Sequence, residues 1–326
     1  MNEIRDLIIG IDIGKEYTQI CYYDRKAEEA RSLSMKVGAS QYEAPGCICY
    51  RTDHGDYCVG LEAEYFAREK GGIMIGNIYD ICQKEEKIQV AGEEKEPAEL
   101  LAYFLKGILK FLGIQDIVKN TRCLCITSPE LSTLQVRNYQ KACSLAGFSR
   151  EKYMLMDYGE SFYYYTFHQE PSVWKHDIAM FDFSEHRIRF TLLARDGREM
   201  PQLVQCGCRE WETPYWPEDA GKEKDTFFAN VLRQSFAKRI VSGVYLLGDG
   251  FDGNWLSETL RVLGPNRRVF IGKNLCTKGA AYGAYIRQNP TAWNYRYDCD
   301  YKTGTDVGLQ LSADGEEIYY PLTVSG

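Results

Sequence analysis

The sequence lacks the features of several common functional classes. It has no excess of positive charge, because 46 acidic residues outnumber 39 lysines and arginines and give a net charge of −7. A general nucleic-acid binder needs a concentrated basic face. No apolar run approaches the roughly 20 residues that span a bilayer, and Glu3, Arg5 and Asp6 do not fit a secretory signal. We therefore predict a cytoplasmic protein with no nucleic-acid or membrane partner.

The twelve cysteines also lack the spacings of metal sites and disulfide frameworks. There is no C-x-x-C pair, and the four histidines are scattered. Three pairs have the spacing C-x-C, which within a strand would put both thiols on one face, where they cannot reach good disulfide geometry. We predict reduced, mostly buried thiols. The pairs are Cys47/Cys49, Cys123/Cys125 and Cys206/Cys208.

What the sequence does contain is a strand, a turn and a returning strand at its start. Residues 7–13 form an apolar run that includes Asp12, and a tight turn follows at Gly14. Backbone N–H groups at a glycine turn can point at phosphate oxygens, and a carboxylate suits Mg²⁺ through water. The hairpin is therefore suited to holding a phosphate and its metal.

The rest of the chain alternates strands and helices in two comparable halves. The second half opens with another hairpin, over residues 178–183 and 188–194, and apolar spacing predicts a long helix over residues 97–112. Residues 207–224 are predicted to be polar and irregular, and residues 277–287 to be a helix rich in small residues. This alternation predicts a two-lobed α/β protein with mixed sheets and a cleft between the lobes.

The same pattern predicts where the parts of the chain begin and end. Lobe I is expected over residues 1–177, lobe II over residues 178–290 and a β-rich tail over residues 291–326. The helix at residues 277–288 is expected to return toward lobe I. The tail either belongs to a longer protein or forms a small hairpin docked on a lobe.

The order of several short motifs resembles the actin/Hsp70/sugar-kinase superfamily, and specifically its Hsp70 branch. The resemblance covers about residues 7–290 and depends on order and spacing. The matching segments are Gly10-Ile-Asp-Ile-Gly14, Ala44-Pro-Gly46, Val59-Gly-Leu-Glu-Ala63, Ile126-Thr-Ser-Pro129, Ala146-Gly147, Leu246-Leu-Gly-Asp-Gly250 and Gly279-Ala-Ala281.

This resemblance implies a two-lobed actin-like ATPase fold, with duplicated ribonuclease H-like mixed sheets, a reduced lobe II and a short β tail. It also implies ATP or ADP with Mg²⁺, held by two phosphate hairpins. Asp12 and Asp182 would be metal ligands, and Asp157 and Asp182 catalytic carboxylates, with Glu160 one turn after Asp157 as the alternative. The residues that the resemblance assigns to the cofactor are Gly10, Asp12, Gly14, Lys15, Gly248, Asp249, Gly250 and Gly279.

The second hairpin departs from the family pattern D-x-G-G-G-T. Asp182-Phe-Ser-Glu-His-Arg187 keeps the aspartate but replaces the glycines with side chains that obstruct close backbone approach. Glu185 would add negative charge beside the γ-phosphate. Arg187 or Arg189 could contact a phosphate instead, although a solvated arginine is the simpler interpretation. The γ-phosphate lysine of lobe I has no counterpart, since residues 76–82 contain no lysine.

Phosphoryl transfer depends on positioned positive charge and metal, and much of that apparatus is missing here. We therefore predict a divergent Hsp70/actin-like protein whose nucleotide binding is weak or lost and which acts mainly through a protein partner. The alternative is an active Mg-ATP-dependent ATPase that uses Asp12, Asp182 and Asp157. A small-molecule kinase of the same superfamily is a third candidate, but it lacks a substrate-loop signature.

One loop adds aromatic side chains that fit two interpretations. They form either an exposed patch for a protein partner or a plug that covers a shortened lobe II. The residues are Trp211, Tyr215 and Trp216.

Overall fold

The computed structural model describes residues 6–36, 38–184, 186–198, 200–217, 220–300, 307–313 and 316–323. The chain is a mixed α/β protein with several mixed sheets. It divides into two compact units. Unit 1 comprises Met1–Gln169 and Lys273–Ala292, and unit 2 comprises Glu170–Gly272 and Trp293–Gly326. The first boundary between the units therefore follows residue 169, whereas the sequence predicted a lobe boundary after residue 177.

The strands and helices follow in chain order. The first set is β1 (Leu7–Ile13), β2 (Tyr17–Asp24), β3 (Glu29–Ser32), β4 (Ala44–Pro45), β5 (Cys47–Arg51), β6 (Asp56–Val59), α1 (Leu61–Glu69), β7 (Ile73–Asn77), α2 (Ile78–Ile81), β8 (Ile88–Val90), β9 (Glu93–Lys95), α3 (Pro97–Leu109), α4 (Ile117–Asn120), β10 (Thr121–Ser128), α5 (Thr133–Ala146), β11 (Tyr153–Asp157) and α6 (Tyr158–Phe167). The second set is β12 (Asp177–Ser184), β13 (Arg187–Asp196), β14 (Gln202–Glu212), α7 (Gly221–Ser235), β15 (Val241–Leu247), α8 (Ser257–Leu263), β16 (Arg268–Ile271), α9 (Leu275–Gln288), β17 (Tyr295–Cys299), β18 (Val307–Ala313) and β19 (Glu316–Thr323).

The main sheet of unit 1 has the strand order β11-β10-β1-β2-β3, with β4 paired to β2. Strands β1, β2 and β3 are antiparallel neighbours, β10 is parallel to β1, and β11 is parallel to β10. Strand β1 is buried on both faces, which explains its continuous apolar sequence. Ile9 and Ile11 pack in the same core as α3 and α5, and Ile8 packs with α9 on the other face.

The main sheet of unit 2 repeats that order as β14-β13-β12-β15-β16, with β17 beyond β14. Again the first three strands are antiparallel neighbours, and the next two run parallel to the first. Helices α7 and α8 supply the core on one face, in which Phe181, Phe228 and Leu232 are buried. The two units therefore share one strand order and one set of strand directions.

The prediction of irregular structure over residues 207–224 is wrong at both ends. Strand β14 extends to Glu212 and pairs with β13 along its length, and α7 begins at Gly221. The sequence of β14 is polar because most of its second half is solvent-exposed, as antiparallel strands allow. Its pairing partner, rather than its own composition, makes it a strand.

The cysteines confirm one expectation. All twelve are free thiols, and nine of them are buried. Cys123 and Cys125 lie in β10 and pack together in the core that contains α9, as their spacing within one strand requires. Burial raises the pKa of Cys143 to about 12, which keeps this thiol protonated and unreactive.

Helix α9 contacts the rest of unit 1 at backbone distance through its small residues. A Cβ on Gly10 of β1 would lie 2.5 Å from the carbonyl oxygen of Thr277 and 2.6 Å from the nitrogen of Ala281. A Cβ on Gly279 would overlap the backbone of Ser161 in α6. Glycine at these two positions therefore allows α9 to pack against both β1 and α6.

We expect Gly10→Ala to destabilise the protein by about 1–3 kcal/mol, because the added methyl meets backbone atoms that cannot rotate away. Chemical denaturation would measure the loss. Gly207→Ala in β14 is the matched control, since a Cβ there meets nothing within 4 Å, and its effect should stay within about 0.5 kcal/mol. Equal effects of the two substitutions would contradict the close contact at Gly10.

His168, which follows α6, stacks on Tyr282 of α9 with ring centroids 4.0 Å apart. Burial lowers the pKa of His168 from 6.5 to about 4. Between these two pH values the unfolded chain binds the proton and the folded chain does not. Acidification through this window therefore favours unfolding.

We expect wild-type protein to lose at most about 3 kcal/mol more stability than His168→Phe as the pH falls from 7 to 4. Phenylalanine keeps an aromatic ring against Tyr282 but carries no titratable nitrogen. The measurement is the free energy of unfolding at each pH. Parallel pH curves for the two proteins would show that His168 is not held neutral by the fold.

Candidate functional site

The turn between β1 and β2 is supported from one side. The Asn77 side-chain amide donates to the carbonyl of Lys15 at 2.5 Å, and the Gly46 N–H donates to the carbonyl of Glu16 at 2.9 Å. In a trans peptide the carbonyl and the following N–H point in opposite directions. The N–H groups of Glu16 and Tyr17 are therefore directed away from Asn77 and Gly46.

Asp12 lies beside this turn and is only 6% exposed. The Tyr158 hydroxyl donates to Asp12 Oδ1 at 2.9 Å, and Thr18 Oγ1 donates to the Asp12 carbonyl at 2.6 Å. A Cβ on Gly14 would lie 3.1 Å from the Tyr158 hydroxyl oxygen. The glycine at the turn thus makes room for the tyrosine as well as for the turn itself.

Sequence reasoning missed Tyr158. Its signal was its position directly after Asp157, a residue that the resemblance predicts to be catalytic. Position alone did not indicate that its hydroxyl contacts Asp12, because the two residues are far apart in the chain.

The carboxyl ends of β1, β10 and β11 are neighbours in the sheet, and each carries polar residues. Asp12 is opposite Thr127, and Ser128 is opposite Asp157, in the strand registers. Ser128 Oγ donates to the carbonyl of Ile13 at 2.9 Å. Ligands of open α/β sheets bind at this edge, outside the carboxyl ends of the strands.

Asp157 has a structural role in this arrangement. It is the N-cap of α6, where its Oδ1 accepts the N–H of Glu160 at 2.9 Å. Carboxylates at this position stabilise a helix by satisfying an unpaired N–H group. Asp157 and Glu160 are the two residues that the sequence offered as catalytic alternatives. They are therefore joined by a hydrogen bond from the backbone of Glu160 to the carboxylate of Asp157.

Two of the predicted cofactor glycines lie in packing contacts. Gly10 lies in the middle of β1 against α9, and Gly279 lies in α9 against α6. Helix packing accounts for glycine at both positions. Of the residues predicted for this hairpin, the structure brings Asp12, Gly14 and Lys15 together at its turn.

In unit 2, Asp182 lies in β12 near the second hairpin turn. Ser184 Oγ donates to Asp182 Oδ1 at 2.6 Å. The side chain that replaces the first of the expected glycines is thus bonded to the predicted metal ligand. Glu185, the predicted source of unfavourable negative charge, lies outside the described residues.

Arg187 and Arg189 of β13 both face Glu210 of β14. Arg189 Nε is 2.6 Å and Arg187 Nη1 is 3.3 Å from the Glu210 carboxylate. Burial would raise the pKa of Glu210, but the hydrogen bond and charge of Arg189, with those of Arg187, outweigh burial and lower it. Each arginine thus already has a carboxylate partner.

The glycine loop at residues 248–250 packs against the same hairpin. A Cβ on Gly248, whose φ is +95°, or on Gly250 would overlap Phe183, which is 2% exposed. Asp249 lies between them at the start of a short 3₁₀ turn. Glycine is needed at both positions because Phe183 occupies the adjacent space.

Aromatic rings and a lysine enclose Phe183. The Lys224 ammonium is 4.9 Å from the centroid of Phe183 and 4.6 Å from that of Trp255. Burial lowers the pKa of Lys224, while the charges of Asp249 and Asp252 oppose this shift. The lysine therefore has its electrostatic partners within unit 2.

The three aromatic residues at positions 211, 215 and 216 do not share one role. Trp216 packs edge-on against Phe183, and Trp211 packs against Phe190, both in the core of unit 2. Tyr215 is 80% exposed. The two tryptophans therefore cover the core, and only the tyrosine is available on the surface.

The two hairpins differ in how well their residues suit a Mg²⁺ ion bound to a nucleotide. The described residues contain no group of three or more His, Cys, Asp or Glu side chains that could hold a metal. Mg²⁺ does not need such a group, because it usually takes one or two carboxylates together with substrate phosphates and water. Asp12 and its turn fit this pattern, whereas the second hairpin carries side chains where phosphate needs backbone.

Comparison with known proteins adds a family but no function. Residues 29–300 match the model of a family of unknown function (DUF5716), C-terminal. No curated protein matches the chain. In the ranges that the structure describes, no helix has both the length and the apolar character required to cross a bilayer.

We expect Tyr158→Phe to cost about 1–2 kcal/mol of stability, because it removes a hydrogen bond to a buried carboxylate. Combining it with Asp12→Asn in a double-mutant cycle would isolate the pair. Tyr65→Phe is the control, since Tyr65 is 44% exposed. Additive effects of the two site substitutions would mean that Tyr158 and Asp12 do not interact.

Proposed function

The chain belongs to the DUF5716 family, and we propose that it is a divergent Hsp70/actin-like protein in which nucleotide binding is weak or lost. On this proposal it acts mainly through protein contacts. The strand order supports the assignment of fold. Each unit has three antiparallel strands followed by two strands parallel to the first, the arrangement expected of duplicated ribonuclease H-like sheets.

The observation that carries the proposed loss of nucleotide binding is the hydrogen bond from Tyr158 to Asp12. The Tyr158 hydroxyl occupies one acceptor site of Asp12 Oδ1, so a water of hydrated Mg²⁺ that takes this site would have to displace the tyrosine. Hydrogen bonds to charged groups contribute about 1.5–3 kcal/mol. Displacing Tyr158 would therefore weaken Mg-nucleotide binding by about one to two orders of magnitude.

Unit 2 supports the same proposal through side chains that fill space. Phe183 lies against the loop that the resemblance assigns to adenosine, and Ser184 bonds to Asp182. A nucleotide held there would have to displace a buried phenylalanine. Loss of a buried aromatic ring from its core costs about 3–5 kcal/mol, more than a typical phosphate hydrogen bond returns.

The edge of unit 2's sheet supports the part of the proposal that concerns protein contacts. Strand β16 is the last strand on its side and pairs only with β15 in the described sheet. It exposes Phe270 and Ile271, the latter to 64%. An edge strand with apolar side chains and unpaired backbone can add a strand from another protein.

The alternative, a working Mg-ATPase, is favoured by the first hairpin alone. Its turn is supported by Asn77 and Gly46 on one side and directs the N–H groups of Glu16 and Tyr17 to the other. Such an arrangement suits phosphate oxygens. The ATPase would require Tyr158 to leave Asp12 when Mg²⁺ binds.

Thermal unfolding with Mg-ATP, Mg-ADP or EDTA tests the proposal, because a ligand that binds only the folded state raises the midpoint. We expect about 1 mM nucleotide to leave the wild-type midpoint unchanged. Tyr158→Phe should gain a Mg²⁺-dependent rise, because the tyrosine hydrogen bond to Asp12 Oδ1 is removed, and the control Tyr65→Phe should not.

Adding Asp12→Ala to Tyr158→Phe should abolish that rise. A clear Mg²⁺-dependent shift of the wild-type protein, lost in Asp12→Ala, would refute the proposal in favour of the ATPase. If Tyr158→Phe gains no shift, the tyrosine is not what weakens nucleotide binding.

A further inference from the structure

Unit 2 also contains a basic cavity that the proposed function does not use. Its volume is about 560 Å³, within the range of small-molecule sites. Four permanent cations and a single carboxylate line it, in a chain whose net charge is −7. These residues are Lys175, Arg195, Lys238 and Arg239, with Asp177 as the carboxylate, and His176 lies beside them.

We propose that this cavity binds a small ligand with several phosphate groups, such as a di- or triphosphate chain. The proposal is independent of the site at Asp12. Planar guanidinium groups bind phosphates through paired hydrogen bonds. A cavity that is open to solvent on one side and carries charges from several segments suits a compact, multiply charged anion.

The topology of the sheet brings the cations together from separate segments. Lys175 lies two residues before β12, Arg239 lies two residues before β15, and Arg195 lies near the end of β13. Because β15 is parallel to β12 and β13 is antiparallel to it, these three strand ends meet at one edge. The Asp177 N–H donates to the carbonyl of Ile240 at 3.1 Å and connects two of the segments.

This edge is opposite to the one that carries Asp182. Asp177 begins β12 and Asp182 lies near its end, which separates them by about 16 Å along the strand. A ligand in the cavity would therefore not contact the second hairpin or the glycine loop. The two sites can be tested separately.

Both arginines are held by neighbours that leave donors for a ligand. Arg239 Nη1 is 3.1 Å from Asp177 Oδ2. Arg195 lies over the ring of Trp174 at 5.1 Å and donates from Nη1 to Gln202 Oε1 at 3.2 Å. A guanidinium group has five N–H donors, so one such bond orients it without exhausting it. Orientation before binding lowers the entropy lost when a ligand binds.

Helix capping explains only part of this cluster. Lys238 and Arg239 follow the carboxyl end of α7, where cations interact favourably with the helix dipole. Lys175 and Arg195 belong to other segments, and the effect of the dipole falls off within the last turn. Their convergence on the same cavity therefore indicates a ligand rather than a cap.

Isothermal titration with inorganic tripolyphosphate tests the site, in about 0.1 M salt, where weak surface attraction is screened. EDTA removes Mg²⁺ and so suppresses binding at Asp12. We expect binding that Lys175→Gln with Arg195→Gln weakens by about tenfold or more. The matched control is Lys222→Gln with Arg261→Gln, two exposed cations of unit 2 outside the cavity. It should bind like the wild-type protein.

Four results would overturn the assignment. The first is no binding at millimolar tripolyphosphate, and the second is equal weakening in the two double variants, which would indicate net charge alone. The third is tighter binding of a poly-glutamate peptide than of tripolyphosphate, which would indicate an acidic protein partner. Asp12→Ala should bind tripolyphosphate like the wild-type protein, and loss of binding there would move the anion to the first hairpin. Thermal unfolding of each variant would confirm that it is folded.

Discussion

The backbone contact of α9 with β1 and α6 is the constraint on which the arrangement of unit 1 depends. The absence of a side chain at Gly10 lets α9 pack closely on β1, and the absence of one at Gly279 lets α9 pack on the backbone of Ser161. Because one helix contacts both elements, the start of α6 has a defined position relative to the end of β1. That position places the Tyr158 hydroxyl on Asp12. The packing of α9 therefore determines which side chain contacts Asp12.

In both hairpins, the groups predicted to bind a ligand already contact other residues of the chain. The kind of contact differs between the two hairpins. In unit 1 a hydroxyl group bonds to Asp12, and this bond can be exchanged for water or metal at moderate cost. In unit 2 a buried ring, Phe183, fills the space beside Gly250. A hydrogen bond to a ligand does not compensate for removing such a ring from its core. On the proposed function, the first hairpin is therefore the one that a substitution would open to a nucleotide.

Charge is distributed differently from what the composition suggests. The chain is acidic overall, which argued against a general nucleic-acid binder, yet unit 2 brings basic side chains to one cavity. Net charge reports on long-range attraction and solubility, whereas a small anion responds to the few charges within reach. Strand order decides which charges those are, because it determines which strand ends are neighbours.

The sequence by itself determined the alternation of strands and helices, the two hairpins, and the turn with Asp12 and Gly14, because these depend on local periodicity and on glycine conformation. It did not predict strand β14, the packing roles of Gly10 and Gly279, or the contact of Tyr158 with Asp12. Each of these depends on a partner distant in the chain, and local composition carries no information about such partners. Only the tertiary structure decided them, because strand register and helix contact bring those residues together.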